Sequence, residues 1–308
     1  MSAAKGMQVD QESSNPPRRG LRKGLYLIPS VFTAANIGMG FYAVMSSVRA
    51  FQMLAGPTPD LAGAAQRFDH AAIAIGFGVL YDMLDGRIAR MTKTTTEIGI
   101  QLDSIADVVT FGLAPAVLAY VWGYGASLTE GTNLHQFSWF ISFMYLMCGA
   151  FRLARFNVQA SRPRIVAAGT VKVDKKSFVG LPIPVAGGLI ASIIHFAPQP
   201  LISYGPERAQ VYSTLLMLLV GLLSLMMVST LRFSSFKTVG TGSRSMRTIM
   251  IVLAIGGLIV LYSQYVLLGL CLAYIFHGLV SRVFSIFWRR GEADAKIETN
   301  PVSGPSTH

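Results

Sequence analysis

Apolar residues along this chain come in long runs rather than in short alternation, and short polar or basic stretches separate the runs. Runs long enough to cross about 30 Å of hydrocarbon predict helices near residues 26–48, 68–90, 98–122, 136–157, 181–198, 209–231, 246–262 and 264–286. The stretch 246–286 is nearly continuous, and only Tyr262-Ser263-Gln264-Tyr265 suggests a tight reversal; without it the count falls to seven. The pattern predicts an all-α fold, a polytopic membrane bundle of about eight transmembrane helices around a six-helix core. Residues 1–24 read as a polar, basic N-terminal segment, 25–240 as the core, 241–290 as two additional helices and 291–308 as a disordered tail.

Composition agrees with the runs: 52% of residues are hydrophobic and 13% charged, the balance of an integral membrane protein. The 26 basic residues outnumber the 15 acidic ones, but they cluster between the apolar runs. That placement suits lipid headgroups and orientation, and no nucleic-acid-binding motif accompanies it. The charge alternates from one connection to the next. Arg18, Arg19, Arg22 and Lys23 precede the first span, Arg87, Arg90 and Lys93 follow the second, and Arg152 to Lys176 follow the fourth. Arg232 to Arg247 follow the sixth and Arg282, Arg289 and Arg290 close the last, whereas intervening loops such as 125–136 are nearly free of Lys and Arg. Both termini and the segment 81–107 are therefore expected on the cytoplasmic side. The mixed basic and apolar stretch before the first span reads either as an interfacial helix or as an orientation signal only. Cys148 and Cys271 fall within apolar runs and read as small hydrophobes, and the histidines are scattered without ligand spacing.

Four carboxylates interrupt this apolar picture. Asp82 and Asp85 are three apart at the end of the second span, Asp103 and Asp107 four apart at the start of the third, so each pair shares a helix face. The short connection between the spans brings the faces together. Bare like charges about 4 Å apart repel by about 4 kcal/mol even at an effective dielectric of 20, so cations must sit between them or protons must be held. Hard divalent cations fit carboxylates and substrate phosphates together. Gly86, Ala89 and Gly99 are small residues one turn from the acids, leaving room for a ligand near the backbone, and Arg90 offers a fork for a phosphate. Proton relays and ion pathways also use intramembrane acids, so a divalent-ion transporter is the competing reading.

The spacing Asp82-x2-Asp85-Gly86-x2-Ala89-Arg90-x8-Gly99-x3-Asp103-x3-Asp107 resembles, without a gap, the signature of the CDP-alcohol phosphatidyltransferase family. The resemblance implies two divalent cations, Mg²⁺ or Mn²⁺, held by the four aspartates, with Asp107 also taking a proton. It implies nucleotide and phosphate contacts from Gly86, Ala89, Arg90, Thr96 and Gly99, and places Thr33 and Asn36 near the nucleotide. Residues 27–41, 152–158, 180–188 and 225–237 resemble the phosphatidylserine synthase branch, which implies CDP-diacylglycerol and L-serine as substrates. Glycerol 3-phosphate, inositol phosphate and choline remain alternative acceptors. A serine carboxylate needs a cation near the metals, and Arg152 or Arg155 is the candidate. By the same resemblance the protein is expected as a homodimer in contact with membrane lipids, in a bacterial inner membrane. The prolines of Gly180-Leu181-Pro182-Ile183-Pro184 are expected to break helix geometry at the entrance of the fifth span.

Overall fold

The computed structural model describes residues 19–92, 97–161, 177–229, 232–234, 254, 256–278 and 280. Its helices are α1 (Arg19–Leu54), α2 (Leu61–Thr92), α3 (Glu97–Gly125), α4 (Asn133–Ser161), α5 (Ile183–Phe196), α6 (Pro206–Val228) and α7 (Gly256–Gly278). Two three-residue strands, β1 (Ser177–Val179) and β2 (Arg232–Ser234), pair antiparallel. The fold is all-helical apart from this pair, and α1 (over Val31–Leu54), α3, α4 (over Asn133–Val158), α6 and α7 are each long and apolar enough to cross a membrane.

Turn chemistry sets the helix starts. Asp60 Oδ1 accepts the Gly63 amide at 2.9 Å at the head of α2, and Thr132 Oγ1 accepts the His135 amide at 3.3 Å at the head of α4. The basic segment before the first span is helical from Arg19 and continuous with α1. At 36 residues, α1 is about 54 Å long, well beyond the hydrocarbon thickness. Helices α1 and α2 run antiparallel over their length, joined by Ser46 Oγ to the Arg67 carbonyl at 2.8 Å and, at the other end, Thr33 to Asp85.

Helix α3 carries two π-helical segments, Val108–Leu113 and Tyr120–Gly125. Pro115 has no amide proton, so the Phe111 carbonyl, four residues earlier, loses its helical partner. The buried Tyr145 hydroxyl of α4 donates to that carbonyl at 3.0 Å. Similar stitches join Thr110 Oγ1 to the Asn36 carbonyl of α1 at 2.8 Å and Ser213 Oγ of α6 to the Gly123 carbonyl at 2.7 Å. Gly187 of α5 faces the same spot, and a Cβ there would lie 3.0 Å from the Phe111 oxygen and from Pro115. Tyr145→Phe is expected to cost about 1 kcal/mol, the range measured for hydrogen bonds between membrane helices. Equilibrium unfolding in mixed micelles measures it, and an unchanged midpoint would show that water replaces the hydroxyl.

The break expected at the fifth span is present. Pro182 caps α5, Pro184 lies in its first turn, and Gly180 has φ +85°. A side chain at Gly180 would run into the Met227 carbonyl, while the Leu181 amide donates to Met226 O at 3.0 Å. The β1–β2 pair thus ties the entrance of α5 to the exit of α6. With 14 residues, α5 spans about 21 Å, shorter than the 181–198 run suggests. Its core face is filled by Ile183, Ala186, Leu189, Ile190 and Ile194.

One expectation is overturned. No reversal occurs at Tyr262–Tyr265, because α7 runs unbroken through them. Among the described residues one helix runs through Gly256–Gly278 across the boundary expected at 262–264, and the rest of the two expected helices, most of 246–262 included, lies outside the described residues. The polar residues that suggested a turn are instead contacts with α5. Ser263 Oγ is 2.8 Å from His195 Nε2, and the Tyr265 ring meets Phe196 edge-on at 5.5 Å.

Candidate active site

The end of α2 and the start of α3 bring three carboxylates together: Asp82, Asp85 and Asp103 offer oxygens that all lie within 4.8 Å of one another. Helical spacing is the cause, since each pair shares a face and the faces oppose. Asp85 is 4% exposed and accepts a hydrogen bond from Thr33 Oγ1 of α1 at 3.1 Å and one from the Gly86 amide. Asp107, one turn deeper than Asp103, interacts electrostatically with Asp82, Asp103 and Asp85, and also with Arg152 of α4. The π-helical segment begins immediately after Asp107, so a change of helical register follows the last acid.

Asp103 Oδ1 and Asp107 Oδ1 are buried and have no hydrogen-bond partner among the described residues. Buried carboxylate oxygens need a donor or a cation. An all-oxygen, anionic set of this kind fits hard divalent cations such as Mg²⁺ or Mn²⁺.

The remaining expected residues divide by position. Gly86, Ala89 and Gly99 are half-buried beside the acids, and Arg90 lies on the last turns of α2. Thr96 lies outside the described residues. Thr33 stands at the carboxylates, whereas Asn36, one turn further into the bundle, is fully buried with its side-chain amide unpartnered among the described residues. It faces Gly78, where a Cβ would sit 3.1 Å from its Oδ1. From α4, Asn157 Nδ2 donates to Ser104 Oγ at 2.8 Å, which fixes the end of α4 at the depth of Asp103. Arg152 and Arg155, both half-buried, lie on the last turns of α4, and Arg152 Nε is buried without a hydrogen-bond partner among the described residues.

Sequence reasoning assigned no role to the histidines. His195 is nevertheless 7% exposed and bonded through Nδ1 to Asp69 Oδ1 at 2.5 Å and through Nε2 to Ser263. Its partners lie 126 and 68 residues away in the chain, so no local pattern announces them.

Fold and site together define a polytopic helical membrane protein with a cluster of carboxylates, able to hold a cation, at one end of the bundle. Residues 26–225 match the model of the CDP-alcohol phosphatidyltransferase family. The chain belongs to that family, whose members transfer substituted phosphate groups in phospholipid synthesis. It is similar to a CDP-diacylglycerol–serine O-phosphatidyltransferase of Helicobacter pylori, 28% identical over 260 residues, 84% of this chain and 92% of the relative. Proteins of the same name from Methanocaldococcus jannaschii and Bacillus subtilis are 35% and 32% identical. Their matches cover 53% and 54% of this chain and 62% and 77% of those relatives.

Proposed function

We propose that this protein transfers the phosphatidyl group of CDP-diacylglycerol to L-serine, giving phosphatidylserine and CMP. The observation that carries the reading is the convergence of four aspartates from α2 and α3 within a family motif, with Arg152 of α4 interacting with Asp107. The choice of serine as acceptor is supported by the relatives, which are CDP-diacylglycerol–serine O-phosphatidyltransferases by name.

Asp82, Asp85 and Asp103 would hold one cation and Asp107 would share in a second; when bound, such ions neutralise charge on a transferring phosphate. The residues do the rest. Asp107 takes the proton of the serine hydroxyl, the serine oxygen bonds to the phosphorus carrying diacylglycerol, and the bond to CMP breaks. Gly86, Ala89 and Gly99 leave room beside the acids for the nucleotide, and Thr33 holds Asp85 in place. Arg152 and Arg155 offer the cation a serine carboxylate requires. The basic connections favour a cytoplasmic site in a bacterial plasma membrane, where soluble serine meets a lipid-bound donor and soluble CMP can leave. Pairing as a homodimer completes the reading.

The test is CMP release by the purified protein in detergent with CDP-diacylglycerol and Mg²⁺ or Mn²⁺. Serine, glycerol 3-phosphate, inositol phosphate and choline are each supplied alone. Release with serine only, abolished by a chelator, is expected. Release with a different acceptor overturns the serine assignment, and no release with any acceptor overturns the transferase reading for this chain.

A further inference from the structure

Helix α7 lies beyond the family segment 26–225, yet it is docked on the core in a defined register. Near the end of the bundle opposite the aspartates, Ser263 meets His195, His195 meets Asp69, and Tyr265 packs on Phe196. Two turns on, Cys271 is hydrogen-bonded to Ser192, and its Sγ lies 3.8 Å from where a Gly188 Cβ would stand. The chain numbers rise along α7 as they fall along α5, so the two helices are antiparallel. The next residue on that face, Tyr274, is one turn nearer the aspartates; it packs against the core and interacts with Arg152. Arg152 in turn interacts with Asp107.

Ser263, His195 and Asp69 are bonded in the order of a nucleophilic relay, but Ser263 sits inside α7, whose amides are committed to the helix. Those amides are therefore not available as oxyanion donors. The three residues act as a clamp. A buried, paired polar cluster between membrane helices fixes register because any slip leaves its members unpaired.

Resting on the serine-transfer reading above, we propose that α7 is a wall of the acceptor pocket, with Tyr274 the positioning residue that orients the Arg152 guanidinium and the Asp69–His195–Ser263 clamp the anchor that holds it there. Arginine recognises a carboxylate through a planar fork whose orientation matters. A tyrosine hydroxyl set beside one edge of that fork would leave the other edge for the substrate.

Two measurements on the full chain test this. In the first, Tyr274→Phe, which keeps the ring and its packing, is compared with wild type for serine and CDP-diacylglycerol kinetics. The KM for serine is expected to rise about fivefold, with kcat and the lipid KM within about twofold, a loss of acceptor binding felt equally in the ground and transition states. An unchanged serine KM overturns the positioning role. In the second, Gly188→Cys in a Cys148→Ala background is oxidised in membranes, and the loss of free thiols is counted. A cross-link to Cys271 is expected, weakened by His195→Ala; its absence, or indifference to His195→Ala, overturns the anchored register. Thiol counting needs no turnover, and wild-type activity with serine decides the underlying reading separately.

Discussion

Asp107→Asn is expected to lower CMP release by about a hundred- to ten-thousandfold, the span associated with a lost general base, while leaving CDP-diacylglycerol affinity near that of wild type. The substitution is nearly isosteric and keeps an oxygen toward the pocket, so the half-buried position should not collapse. What disappears is the capacity to take a proton. Asp107 is suited to that task because it faces Arg152 on the acceptor side as well as the other three acids. The check pairs single-turnover CMP release with equilibrium binding of CDP-diacylglycerol in nanodiscs containing Mg²⁺. Equal loss of binding and turnover would reduce Asp107 to a cation ligand and move the base elsewhere.

The acids were legible because helical geometry is local: spacings of three and four decide which side chains share a face, whatever the rest of the fold does. Long apolar runs made the helices legible for the same reason. What escaped depends on distant partners. Tyr262-Ser263-Gln264-Tyr265 has the polarity of a turn, but Ser263 is matched by His195 across the bundle, and a satisfied polar residue need not end a membrane helix. Pro115 is visible in the sequence, yet the repair of its orphaned carbonyl by Tyr145 is not. Thr33 and Asn36 are three residues apart on α1, a spacing that puts them on one face. Only the structure separates Thr33, bonded to Asp85, from Asn36, set deeper between α1, α2 and α3. The β1–β2 clamp was likewise invisible, since each strand is three residues long and gains stability only from the other.

Asp85→Asn should reverse the order of thermal stabilities on adding a divalent cation. Asp85 is buried, at 4% exposed, where Asp82, Asp103 and Asp107 are half-buried, and it shares its oxygens' neighbourhood with Asp82 and Asp103. Repulsion between two such charges about 4 Å apart reaches about 4 kcal/mol at an effective dielectric of 20, so a neutral amide should stabilise the cation-free protein. The amide oxygen still accepts from Thr33, so packing is retained. With Mg²⁺ at about a hundred times its Kd, wild type gains about 2.7 kcal/mol from binding the folded state alone, a gain the variant should largely forgo. Melting curves in detergent, first with a chelator and then with Mg²⁺, should therefore show the variant ahead in the former and behind in the latter, with CMP release lost throughout. A variant less stable than wild type in chelator would mean that Asp85 is held by its hydrogen bonds rather than opposed by its neighbours. Loss of cation-linked stabilisation without loss of turnover would separate the ion from the chemistry.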